Sequence, residues 1–147
     1  MSFILDARLE QDSLHLADLP LCQLRLSHDA RYPWLLLVPR LPKVSEVFDL
    51  SAEQQAQLWQ EVSSVSALWQ RVTAADKINI ATLGNVVAQL HVHVVARFQT
   101  DAAWPAPIWG RGEAEVYPAE ARQALIALLK QEVLKKETTA QHWIWLV

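Results

Sequence analysis

Gln89, His91 and His93, three side chains able to hold or transfer a proton or bind an anion, occupy alternate positions of one apolar run, "GNVVAQLHVHVVARF" (residues 84–98). Valines at 92, 94 and 95 favour a strand, because two heavy atoms on Cβ suit a pleated surface. In a strand the side-chain period is two, which puts Gln89, His91 and His93 on one face and Leu90, Val92 and Val94 on the other. At about 3.3 Å per residue, the two imidazoles stand about 6.6 Å apart along the chain, close enough to share one small anion or one metal. Imidazole titrates near neutrality, so it can act as nucleophile, acid or ligand. Three readings are open: polar residues on an amphipathic strand, a zinc site, or covalent catalysis at phosphorus. The zinc site needs a third ligand from His28, His15, Cys22 or His142, none of which has diagnostic spacing.

The elements that must position these residues are legible around them. "LCQLRLS" (21–27) alternates in the manner of a half-buried strand, and "WLLLVPR" (34–40) is an apolar strand stopped by Pro39 and Pro42. The two are expected to pair antiparallel. Ser51 and Gln54 have capping-box spacing, and Leu58, Val62, Val65, Trp69 and Val72 then recur on one face of a long helix. "KINIATLG" (77–84) predicts a third strand and "QLHVHVVARF" (89–98) a fourth. Gly84 and Asn85 between them indicate a turn or a close backbone approach. A Pro/Trp-rich loop follows. Pro118 then opens a second, shorter helix marked by Leu125, Leu128, Leu129 and Val133, with Lys130, Lys135 and Lys136 complementing its dipole. The order β-β-α-β-β-α predicts an α+β fold with helices on one face of an antiparallel sheet of about five strands. The expected division is one domain over residues 1–137 and an apolar C-terminal tail over 138–147, "HWIWLV" being a strand or a partner contact.

Composition bounds the function. The chain has 147 residues, 52% of them hydrophobic, with seven Trp, enough for one domain with a substantial core. A net charge of -3 argues against a protein that coats nucleic acid. The lone Cys22 allows no internal disulfide and fits a reducing compartment. The first ten residues lack the basic start and apolar region of a signal peptide, and "WLLLV" (34–38) is far too short to cross a bilayer. The expectation is a cytoplasmic protein that meets no membrane.

The segment Gln89-Leu90-His91-Val92-His93-Val94-Val95 resembles the signature of the histidine triad (HIT) superfamily, His-φ-His-φ-His-φ-φ with φ apolar. Gly84-Asn85-Val86-Val87 resembles the family's Gly-Gln-x-Val lead-in, and the strand–Pro–long helix–strand order over residues 21–98 is similar to its core. The resemblance covers residues 3 to 130. It implies a HIT-like fold and a nucleotide hydrolase or nucleotidyltransferase. His91 would attack the α-phosphorus of a nucleotide, a nucleotidyl-imidazole would form, and water or another acceptor would release the nucleoside monophosphate. His93 would hydrogen-bond phosphate oxygens as charge shifts in the transition state. No metal or other cofactor is implied. The expected ligand is a purine nucleotide, as a dinucleoside polyphosphate or a nucleoside phosphoramidate, and the expected assembly is a homodimer around the long helix and a neighbouring strand.

Gln89 stands where the family usually has histidine; the related uridylyltransferase branch carries glutamine at the last motif position instead. An amide can hydrogen-bond a phosphate oxygen but cannot deliver a proton at pH 7. Losing a general acid costs on the order of 10²–10⁴ in rate. Good leaving groups such as polyphosphate are therefore expected, and Gln89→His is expected to shift the ratio between amine and polyphosphate leaving groups. The alternative is a nucleotide-binding module with little or no turnover. Supporting candidates are Asn85 for a phosphate, Arg97 on the histidine face by counting in twos, and Arg111 in "WGRG" for an anion. Trp104 and Trp109, held by Pro105 and Pro107, are candidate walls on the leaving-group side. The resemblance adds Ser27, His28 and Asp29 as ribose contacts.

Overall fold

The computed structural model describes residues 1–135 and 143–147. Asp6 caps a short helix α1 (Ala7–Asp12), its side chain accepting from the Arg8 N–H. Strands β1 (Ser13–Asp18), β2 (Cys22–Ser27) and β3 (Trp34–Pro39) follow. A 3-10 turn at Val47–Asp49 leads into the long helix α2 (Ala52–Thr73). Its start is the expected capping box, in which the Gln54 N–H donates to Ser51 and the Ser51 N–H donates to the Gln54 side chain. β4 (Lys77–Ala81), β5 (Val92–Arg97), α3 (Ala119–Lys135) and a short β6 (Ile144–Trp145) complete the described chain. Lys136 and His142 lie outside the described residues. No helix among them is long and apolar enough to cross a membrane.

The fold is α+β, with a six-stranded antiparallel sheet in the order β4-β5-β3-β2-β1-β6. Alternation divides its two faces. Leu24, Leu26, Leu35, Leu37, Val92, Val94 and Ala96 point one way, into the main core with Leu58, Val62, Val65 and Trp69 of α2 and Leu129 and Val133 of α3. Burial of that apolar face is the main stabilising force, at about 25 cal/mol per Å² removed from water. Polar anchors fix the layers to each other. The Trp69 indole donates to the Pro33 carbonyl at 2.9 Å, and buried Glu61 of α2 accepts from the Leu21 and Cys22 N–H groups.

The opposite face carries Trp34, Leu36 and Val38 of β3 and His93, Val95 and Arg97 of β5. Two covers shield it. Phe3, Leu5 and Leu9 from the N-terminal segment pack on Leu36, Val38 and Val87, while Ala103, Ile108 and Trp109 pack on Tyr32, Trp34 and Val95. Helices therefore flank both faces, α2 and α3 on one and α1 on the other. α1 and β1 were not among the sequence-predicted elements, while β6 takes the strand alternative offered for the apolar tail and pairs with β1. β1 is hard to see because a bulge between His15 and Ala17 breaks its alternation.

Two strands are shorter than expected. β4 ends at Ala81, opposite His93, and the chain then leaves the sheet through Gly84, whose φ of +75° suits glycine. β5 starts only at Val92. Ten residues thus separate the paired strands, and this excursion makes one side of a cleft.

Candidate active site

Between the two covers the sheet is left open as a cleft of about 330 Å³. Its floor is Trp34 and Leu36 of β3, Ser27 at the end of β2, and His91 and His93. Arg8, Leu9, Asp12 and Ser13 of α1 and its junction with β1 form one wall, Leu83 to Val87 another, and Trp109 a third. A second hollow of about 480 Å³ adjoins it, sharing Asp12, Ser27, Trp34 and Trp109 and extending to His28, Asp29, Arg31, Arg111 and Glu115. The α1 residues and Trp34 and Leu36 were missed in the sequence. Trp34 and Leu36 alternate with core leucines, so only the sheet topology shows that they face the histidines.

The two imidazoles lie with centroids 4.9 Å apart, nearly perpendicular. His91 is 7% exposed and lines the cleft. Its Nδ1 lies 2.7 Å from the Gln89 carbonyl oxygen. A carbonyl only accepts, so Nδ1 carries a proton that it donates, and a neutral ring leaves the Nε2 lone pair free. His93 is buried, with Trp34 and Trp109 rings at 5.4 and 5.1 Å. Its Nδ1 accepts from the Trp34 indole N–H at 2.9 Å. Burial, reinforced by His91, pushes its pKa down to about 3, so it is neutral at pH 7. With the His91 ring neutral, the pair sets a free Nε2 lone pair beside a neutral ring that has a hydrogen to offer.

Gln89 does not join them. The face-sharing expectation assumed a strand through residue 89, but the chain bends there before β5 begins. The Gln89 amide instead accepts from the Asp6 N–H at 2.8 Å and donates to the Ile4 carbonyl at 3.0 Å. Both ends of the carboxamide are engaged with the N-terminal segment. Its influence on His91 runs through its backbone carbonyl.

Arg97 shares the histidine face, as the counting by twos requires, but lies under the second cover. It is 2% exposed, pairs with Asp101 at 2.8 Å, and also donates to Asn79 and the Ala106 carbonyl. Trp104 stacks on that guanidinium at 5.7 Å and is not part of the cleft lining, whereas Trp109 is. Asn85 lines the cleft beside Gly84. Ser27 lines both hollows, and His28 and Arg111 line the second. Burial, with Arg122 and Arg25 nearby, lowers the pKa of His28. Burial opposes the charge on Asp29, yet hydrogen bonds from Arg31 and the Glu115 N–H outweigh it and hold its pKa low. The Arg31 guanidinium bridges that carboxylate and the Arg111 carbonyl.

Among the described residues the sequence-derived zinc alternative gathers no third ligand, and His142 lies outside them. His15 bonds Asp18 at 2.7 Å and Cys22 is buried beside Glu61 on the far side of the sheet. Among the described residues no group of three His, Cys, Asp or Glu is placed to hold a metal ion.

The HIT domain family model matches residues 8–100. Similar solved structures include a histidine triad protein from Bradyrhizobium japonicum, 46% identical, covering 90% of this chain and 98% of that one with a TM-score of 0.88. A histidine triad protein from Sinorhizobium meliloti is 47% identical, covering 88% and 96% with a TM-score of 0.86. A third, from Marinobacter aquaeolei, is 37% identical, covering 92% and 98% with a TM-score of 0.88. No curated protein matches at a significant level. A family match that takes in strands β1 to β5 and both histidines, joined to relatives that span nearly the full chain, shows that this protein belongs to the HIT domain family.

Proposed function

We propose that the protein hydrolyses or transfers at the α-phosphate of a purine nucleotide through a nucleotidyl-His91 intermediate. Family membership points to nucleotide-binding hydrolase or transferase chemistry. The observation that carries the reading is the bond from His91 Nδ1–H to the Gln89 carbonyl, which leaves Nε2 as a free nucleophile in a cleft. Leu9, Leu36 and Val87 offer an apolar strip for a nucleobase, and the open peptide around Gly84 with Asn85 offers polar groups to the phosphates. Neutral His93 supplies a hydrogen bond where charge builds on the phosphoryl oxygens. Ser27, His28, Asp29, Trp109 and Arg111 lie further along the two joined hollows, where the ribose or the rest of the substrate extends. Arg97 drops out of the binding set, being enclosed by Asp101.

The test is a panel of dinucleoside polyphosphates, nucleoside phosphoramidates and sugar nucleotides, run on wild type and His91→Ala. Release of a nucleoside monophosphate from at least one class is expected, with a loss on the order of 10³-fold or more in His91→Ala. Retained activity in that variant contradicts the proposal. Tight nucleotide binding with no turnover favours the binding-module alternative.

A further inference from the structure

His93 is the natural candidate for protonating a leaving group, and Trp34 withholds it from that task. An indole nitrogen has one hydrogen and no lone pair to offer, so the ring nitrogen 2.9 Å away must be unprotonated. Neutral His93 therefore carries its proton on Nε2. Adding a second proton would set two N–H groups against each other in a buried place, at the cost of leaving both unpaired. Trp34 is itself held, edge-on to Trp109 at 6.2 Å and paired to Val95 across the sheet. The other groups in the cleft supply no acid either. Gln89 is an amide with both ends engaged, while Ser13, Ser27 and Asn85 carry hydroxyls and an amide that release no proton near neutrality. The charged groups facing the histidines from α1, Arg8 and Asp12, lie 3.6 Å apart as an ion pair.

We propose that Trp34, by holding His93 as a neutral hydrogen-bond donor, restricts this site to phosphoanhydride substrates and rejects phosphoramidates. The inference rests on the nucleotidyl-His91 reading and adds the class of bond that is broken. His91 Nε2 bonds to the α-phosphorus as the bond to the bridging oxygen breaks. That oxygen leaves with the electron pair as a polyphosphate anion, which needs no proton. The imidazole, still protonated at Nδ1 against Gln89, carries the positive charge of the intermediate. Water then attacks phosphorus, the P–N bond breaks with its pair returning to Nε2, and the proton from water leaves with the monophosphate or to solvent. In a phosphoramidate the departing nitrogen must gain a proton as the bond breaks, and among the described residues no side chain lining this cleft gives one. The pKa of His93, near 3, accords with this geometry.

The experiment compares kcat/KM for a dinucleoside tetraphosphate and a nucleoside 5′-phosphoramidate in wild type and Trp34→Phe. Nitrogen NMR of His93 is recorded alongside. Wild type is expected to favour the anhydride by about 10²-fold or more, the scale of a missing general acid. Its His93 is expected to show an unprotonated Nδ1 and a protonated Nε2 from about pH 5 to about pH 8. Trp34→Phe keeps an aromatic ring and removes the donor. There Nδ1 of His93 no longer faces a donor and is free to carry a proton, and the preference is expected to shrink tenfold or more. Comparable turnover of both substrates by wild type, or a proton on Nδ1, overturns this inference alone. A wild type that turns over neither substrate overturns the nucleotidyl-His91 reading and this inference with it. The wild-type ratio and spectrum decide the matter even if Trp34→Phe does not fold.

Discussion

Acidification from pH 7 to pH 5 should weaken this fold more than it weakens a His93→Asn variant. In the folded protein His93 titrates at about 3, against 6.5 for a free histidine, because burial and His91 disfavour its charged form. A histidine depressed on folding is protonated first in the unfolded chain. Its contribution is harmless above pH 6.5 and costs stability as pH falls from there toward 3, at up to about 1.36 kcal/mol per unit. Integrated down to pH 5, this amounts to about 2 kcal/mol, and at pH 4 to about 3 kcal/mol. In His93→Asn the new amide oxygen occupies roughly the place of Nδ1 and can still accept from Trp34, yet the amide does not titrate. His28, also depressed, and Asp29 and Asp101, also lowered, act alike in both proteins and cancel. Urea unfolding at pH 7, 6 and 5 measures the difference. The stability of wild type relative to the variant should fall by about 2 kcal/mol over that range. A difference constant within about 0.5 kcal/mol would refute the reasoning, because His93 would not be held neutral.

Two further variants probe how the site is built. Gln89→Ala removes the bonds to Ile4 and Asp6, each worth about 1 kcal/mol net. Amide exchange at Asp6 should accelerate about tenfold or more while that of α2 is unchanged, and unchanged exchange at Asp6 would deny the clamp. Asp101→Asn leaves the Arg97 guanidinium buried without its carboxylate and should cost about 3–5 kcal/mol in denaturant unfolding. A loss below about 1 kcal/mol would mean that the ion pair does not hold the Trp loop in place.

The core was readable because its signals are local. Leucines alternate at 24, 26, 35 and 37, and α2 announces itself with the Ser51–Gln54 box and a regular apolar stripe. The placement of the candidate site residues was half readable. His91 and His93 did come together, since two residues of separation near the start of β5 leave little freedom. Gln89 went elsewhere because the strand starts at Val92, a boundary set by where pairing with β3 and β4 begins rather than by the valines themselves. Arg97 kept the right face, but the loop after β5 folds over that end, a long-range event that local spacing does not encode. Trp34 was hidden for the same reason. It reads as one more apolar strand residue until β3 is placed beside β5.

The most direct test of the whole account is intact-mass analysis of the protein mixed with a slowly turned-over nucleotide and quenched without acid. Wild type should gain the mass of one nucleotidyl group, located by peptide mapping on His91, and His91→Ala should gain none. Turnover with no adduct under any condition, or an adduct on another residue, would contradict His91 as the nucleophile.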